Sequence, residues 1–383
     1  MSRTICKLLL ALAGVCASTL LVSAQAAQSP TENNQGPAST VANVYVSSSP
    51  SSGKGQINAY SAAANGALTK ISGSPFAYNV NALALNSAWL FAVDSTDQVI
   101  DSFSIAPSGT LKLADTHTAE LTGGGVVSLY LDHTGSSLYG EYYTTNNDYL
   151  QYSINQPTGA LTYIGDLAGG PSNNSPLSFI GNNQFAYSSS CYHLTPSIYG
   201  VQRASDGRIS YLSSAPPLPT AKSGDFYCPW LAAADPTNHL AVAVQPLTGS
   251  WANDGPSQLA TYTADTSGNL TTSSTYTNMP AVLVGSVVDY RMSPSGKYLA
   301  VGGPAGLQIF HYNGPNPITK FTGLLTTQQV DQMFWDNANH LYAISSNAGK
   351  LYVFTVTSTG VKQAPGSPHS ITTPENLIVL PKT

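Results

Sequence analysis

The chain has 383 residues, only 9% of them charged, where an ordinary globular domain carries roughly a quarter. Apolar residues make up 42% and the formal net charge is −5, which together exclude a disordered chain and a basic nucleic-acid binder. Gly, Ser, Thr, Asn and Tyr replace the missing charge, the composition of many short strands joined by many turns.

The first predicted element is an export signal. Arg3 and Lys7 form a basic start, Leu8 to Val22 an apolar run short for a membrane span, and Ala24-Gln25-Ala26 a cleavage site. Residues 1–26 are therefore predicted to be a signal peptide, 27–40 a polar flexible leader, and 41–383 the domain. Cleavage takes two of the 14 basic residues and no acidic ones, leaving 12 against 19 and a mature charge near −7. The mature protein is expected to be periplasmic or secreted, a monomer without nucleic-acid or membrane partners.

From about residue 42 one unit repeats. It reads as an apolar strand, a turn rich in Asp, Asn, Gly or Pro, a Leu/Tyr-rich strand, a variable loop, a third strand, a glycine turn and a fourth strand. The first turn recurs as Asp132-His133-Thr134-Gly135, Asp235-Pro236-Thr237-Asn238, Ser293-Pro294-Ser295-Gly296 and Asp336-Asn337-Ala338-Asn339. The glycine turn recurs as Asn65-Gly66, Ser108-Gly109, Thr158-Gly159, Asp206-Gly207 and Ser267-Gly268, where a hairpin needs a residue that tolerates positive φ. First strands of the unit, called A, are predicted near Asn81, Val126, Pro176, Trp230, Ser286, Val330 and Glu375. Their spacing of roughly 43 to 57 residues is that of a four-stranded blade. The last A strand has no successors, and Val44-Tyr45-Val46, Ile57–Tyr60 and Leu68–Ile71 supply its three partners. The prediction is an all-β, seven-bladed β-propeller of four-stranded antiparallel blades, its last blade closed by N- and C-terminal strands.

Tyr60-Ser61, then Asn65-Gly66-Ala67-Leu68-Thr69-Lys70-Ile71 and Ser72-Gly73-Ser74-Pro75-Phe76, resemble the blade unit of the lactonase-family propellers related to 6-phosphogluconolactonase. Ala160-Leu161-Thr162 and Gly366-Ser367-Pro368 echo it. The resemblance runs from about residue 42 to 380 and implies, with the scaffold, hydrolysis of a sugar or other small lactone. Such chemistry needs a group that activates water and another that stabilises an oxyanion. Family members with ring-opening or ring-closing activity place His, Glu and Arg near the start of the A strands. The aligned positions here are Asn81, Val127, Pro176, Trp230, Val288, Asp331 and Asn376, with no His. Glu375, Asp289 and Arg291 are expected beside the channel, and Asp331 is the candidate base or the holder of a divalent cation. No organic cofactor is expected.

Antiparallel connectivity puts the D-to-A and B-to-C loops on one face, the one where propeller ligands are usually taken. Three longer connections there, Ser188–Ser197, Ser214–Pro229 and Gln245–Ser257, belong to the third and fourth blades. They carry Tyr192, His193, Lys222, Asp225, Phe226, Tyr227, Trp251 and Asp254, which suits a glycan, a small ligand or a protein. The alternative function is therefore a non-catalytic secreted binding module. Cys191 and Cys228 map to that face on adjoining blades and are expected to form a disulfide outside the cytoplasm. His133, His239 and His340 are expected as exposed turn residues. Of the rest, no two of His117, His193 and His369 have metal-ligand spacing, so no zinc site is expected.

Overall fold

The computed structural model describes residues 39–49, 55–143, 147–170, 176–192 and 195–382. The signal peptide and most of the leader lie outside the described residues, as does His193. Among the described residues there is no helix, and the strands form seven antiparallel sheets. Blade 1 is built from Val80–Leu85, Trp89–Asp94, Val99–Ile105 and Leu111–Thr118, from the inner strand A to the outer strand D. Blade 2 uses Gly125–Leu131, Ser137–Tyr143, Asn147–Ile154 and Leu161–Gly170; blade 3 uses Ser178–Phe179, Phe185–Tyr192, Thr195–Arg203 and Ile209–Tyr211. Blade 4 is Asp225–Ala234, His239–Thr248, Gln258–Ala264 and Leu270–Thr271; blade 5 is Asp289–Met292, Tyr298–Gly303, Gly306–His311 and Thr319–Lys320. Blade 6 is Gln332–Trp335, His340–Ser345, Lys350–Thr357 and Gly360–Gln363, with His369–Ser370 added beside its third strand. Blade 7 closes the ring: Pro374–Pro381 is its A strand and pairs with Thr40–Ser48, followed by Gln56–Ala63 and Leu68–Lys70.

A blade buries apolar side chains on both faces, so each must lie against two neighbours. The core accordingly divides into clusters between adjacent blades. Phe91, Val93 and Ile100 of blade 1 meet Val126, Leu138 and Tyr142 of blade 2. Tyr45, Ile57 and Ile378 of blade 7 meet Leu90 and Phe103 of blade 1, which carries the packing across the closure.

The two recurrent turns join the blades. In the A-to-B turn an Asp carboxylate takes the backbone N–H groups that follow it: Asp336 Oδ1 accepts from Ala338 and His340 at 2.9 and 2.8 Å, and Asp235 Oδ1 from Thr237 and His239 at 2.9 and 3.0 Å. The glycine turn between C and D receives an aromatic side chain from the preceding blade. Tyr139 donates its hydroxyl to Gly207 O and Tyr187 to Gly268 O, both at 2.7 Å, and Tyr45 donates to Gly109 O at 2.9 Å. Trp89 Nε1 donates to Gln156 O at 2.8 Å and its ring covers Gly159, where a Cβ would stand 2.4 Å from the indole.

The same contact corrects the expectation for His340. It is 1% exposed, because the first residue of strand B reaches the C-to-D turn of the next blade, here Gly66. Its Nδ1 lies 2.8 Å from Asp336 Oδ2, which also accepts from the Tyr342 hydroxyl at 2.8 Å. His239 is likewise partly buried on Asp235, whereas His133 is exposed as expected.

Candidate functional site

The A strands begin irregularly. In blades 1, 2, 4 and 7 the pairing with strand B skips one residue: Asn81, Val127, Trp230 and Glu375 each stand out between two paired neighbours. Blades 5 and 6 do the same at the strand start. Val288 N–H bonds Gly302 O while Asp289 is the paired partner of Gly302, and Asp331 N–H bonds Ile344 O while Gln332 pairs with Ile344. Such bulges re-aim the extra side chain away from the sheet, and they recur at functional rims. Six of the seven blades thus present one bulged residue at the channel mouth, and in blade 3 the equivalent place is taken by Pro176.

Below this rim lies a cavity of about 580 Å³. Asn81, Val127, Pro176, Val288, Asp331 and Asn376 line it, together with Ser128, Tyr130, Asp289, Arg291, Gln332 and Phe334. In blade 4 Leu231 lines it, while Trp230 stands at the rim, 38% exposed. Glu375 does not line the cavity. It is exposed, and Oε2 accepts from the Ser49 hydroxyl at 3.0 Å.

The acids of this cavity are held in place. Asp331 Oδ1 accepts from Gln329 Nε2 at 2.5 Å and Oδ2 from Ser346 N–H at 2.7 Å, which fixes the carboxylate with lone pairs to spare. Asp289 is almost buried; it accepts from Met333 N–H across the blade boundary at 2.5 Å and pairs with Arg291 Nε at 3.0 Å. The Arg291 guanidinium lies 4.4 Å from the centroid of Phe334, a cation–π seat, and its terminal nitrogens make no hydrogen bond within the described residues. Gln332 ties two blades together, accepting from Leu377 N–H at 2.7 Å. Tyr130 donates to Oε2 of the buried Glu141 at 3.0 Å; burial and then that charge push the phenol well above its usual pKa, so it stays neutral. Neither Tyr130 nor Gln332 was marked by the sequence, where both read as ordinary strand residues.

The loops of blades 3 and 4 hold a second, smaller cavity of about 260 Å³. Lys222, Asp225, Tyr227 and Asp254 line it, with Gln258 and Tyr276. Lys222 Nζ pairs with Asp254 at 3.0 Å, and Tyr227 donates to Gln258 Oε1 at 2.7 Å. Phe226 and Trp251 lie outside it, packed edge-to-face with centroids 4.4 Å apart, so they support the hairpin rather than form an open shelf. The stretch Ser188–Ser197, expected as a loop, is mostly strand: B of blade 3 runs to Tyr192 and C begins at Thr195. The side chain of Tyr192 lies outside the described residues. Cys191 and Cys228 form the expected disulfide, with Cα atoms 5.3 Å apart, joining strand B of blade 3 to strand A of blade 4. Among the described residues no three His, Cys, Asp or Glu groups gather as a metal site would require.

No model of a protein family and no curated protein sequence matches the chain. Solved structures do. A candidate 6-phosphogluconolactonase from Bacteroides fragilis superposes with a TM-score of 0.66 at 15% identity, over 89% of this chain and 98% of that one. A second, from Bacteroides uniformis, gives 0.64 at 15% identity, covering 89% and 99%. A protein from Lactobacillus plantarum gives 0.63 at 17% identity, covering 89% and 100%. At such identities the likeness is one of fold, and the chemistry has to be read from the site.

Proposed function

We propose that this chain is an exported, lactonase-like propeller that opens a sugar or other small lactone at the mouth of its central channel. The observation that carries the reading is Asp331, a carboxylate fixed through both oxygens at the edge of a cavity large enough for such a ligand. In this reading Asp331 takes a proton from water as the water oxygen bonds to the lactone carbonyl carbon. The free terminal nitrogens of Arg291 face the oxyanion, and collapse breaks the ring C–O bond as the leaving oxygen takes up a proton. The polar side chains of Asn81, Gln332 and Asn376 supply partners for ring hydroxyls. The Cys191–Cys228 bridge supports export, because disulfides persist outside the reducing cytoplasm.

The test is a panel of unphosphorylated gluconolactone and acyl-homoserine lactones, followed by pH-stat at neutral pH with and without calcium. Asp331→Asn is expected to lower turnover above the spontaneous rate by about 100-fold or more. Equal turnover by the variant removes Asp331 from the chemistry. No turnover by the wild type on any lactone favours a second reading, a binding module using the smaller cavity around Lys222, Asp225 and Asp254. That reading is supported by a salt bridge at a half-open cleft between the connection that enters blade 4 and the B-to-C loop of that blade.

A further inference from the structure

The seven rim positions are not mixed around the ring. Blades 6, 7 and 1 are consecutive and present Asp331, Glu375 and Asn81. Blades 2 to 5, also consecutive, present Val127, Pro176, Trp230 and Val288. At the rim one arc is therefore polar and the other apolar, while below it blades 2 and 5 add Ser128, Tyr130, Asp289 and Arg291 to the cavity. The apolar arc is also open: Trp230 is 38% and Val288 46% exposed. In both blades a bulge turns an apolar side chain out of the sheet, where the neighbouring strand offers it no cover.

Resting on the channel-mouth reading above, we infer that the ligand is amphipathic: a lactone or sugar head bearing an acyl or alkyl tail of several carbons. The head sits against blades 6, 7 and 1 with its carbonyl toward Arg291, below the rim of blade 5, and the tail lies over Val127, Pro176, Trp230 and Val288 at the rim. A compact polyol would satisfy the first arc and leave the second in water. A tail gives that arc its apolar cover, and the cavity of about 580 Å³ holds a head with part of a chain. All seven blades contribute to the lining of one concave cavity, which fits a small molecule rather than a flat macromolecular surface.

The experiment is titration calorimetry of the mature protein with N-acetyl- and N-octanoyl-homoserine lactone, which share a head and differ in six methylenes. The comparison is repeated with glucose and n-octyl β-D-glucoside below its micelle concentration, so that the result does not hang on one head group. Each methylene removed from water is worth about fourfold in affinity, so a tail half covered by the rim gives more than tenfold tighter binding. In Trp230→Ala and Val288→Ser that advantage is expected to shrink to about threefold or less, with melting curves confirming that both variants are folded. Equal affinity for the long- and short-tailed probes, or an advantage untouched in both variants, overturns the inference while leaving the lactonase reading intact. Tailed probes that bind while wild-type lactone turnover is absent support the inference and sink the chemistry. Absence of binding by every probe overturns both.

Discussion

Asp132 shows how a single side chain in a repeated turn comes to matter. Its oxygens receive Thr134, Ser136, Ser137 and the Asn183 side chain, and Arg203 Nη2 lies 3.3 Å away. Burial works to raise its pKa, but the hydrogen bonds from Thr134, Asn183 and Ser137 and the charge of Arg203 outweigh burial and hold it below the ordinary Asp value. A carboxyl whose folded pKa is lowered stabilises the fold above its unfolded value, about 3.9, and loses that contribution as pH falls through the folded pKa. Denaturant midpoints measured between pH 6 and pH 2 should therefore fall less steeply below pH 4 in Asp132→Asn than in the wild type. Parallel acid limbs would show that the turn gains nothing from the charge. The site residues differ in how far they could be read at this scale. The alignment of A strands reached Asn81 and Asp331, because equivalent repeats put equivalent residues at the mouth; in blade 7 it was one residue off, since Glu375 is the bulged residue and the aligned Asn376 is paired with Ser47. It misplaced His340, whose burial depends on Gly66, 274 residues away in sequence, a contact no local pattern announces.

At the scale of elements, the glycine turns serve two needs that one substitution series can separate. Gly159, in the C-to-D turn of blade 2, has φ +76° and lies under Trp89, whereas Gly169, near the end of strand D of the same blade, has φ +78° with nothing near a Cβ. Gly169→Ala should cost about 1–2 kcal/mol, the backbone part alone. Gly159→Ala adds overpacking against the indole and should cost about 2–5 kcal/mol by urea unfolding. Similar values for the two would remove the latch between blades 1 and 2 from the account. The turns themselves were legible, since Gly recurs at fixed offsets between short apolar strands. Their role as sockets for the preceding blade was not, because socket and aromatic come from different repeats. The rim bulges were invisible for a related reason. A bulge is a difference in count between two paired strands, and the sequence shows each strand singly.

For the whole molecule, the closure was readable from the surplus of one A strand at the C-terminus and three strands at the N-terminus. Its energetic weight follows from the structure. Pro374–Pro381 buries Leu377, Ile378 and Val379, each worth about 1.5–3 kcal/mol when taken out of water. Together these approach the whole stability of an ordinary domain. A chain ending at Thr373 should lose its cooperative thermal transition and be cut rapidly in limited proteolysis. A truncated chain that melts with the full-length transition would mean that the ring holds without its last strand.

Blade 7 also imposes an order in time. Ser47 pairs with Asn376, 329 residues later, so the strands made first wait for the strand made last. Until it arrives, Thr40–Ser48 is an open edge with its ladder groups unpaired, a ready template for another chain. The closing contact is among the most non-local a chain of this length can make, and non-local pairing is slow to form. Six blades can assemble as the chain appears, but the ring becomes resistant to aggregation and proteolysis only once Pro374–Pro381 is free to dock. For such a protein, holding the unfinished edge apart from its own copies is the step that folding assistance has to cover.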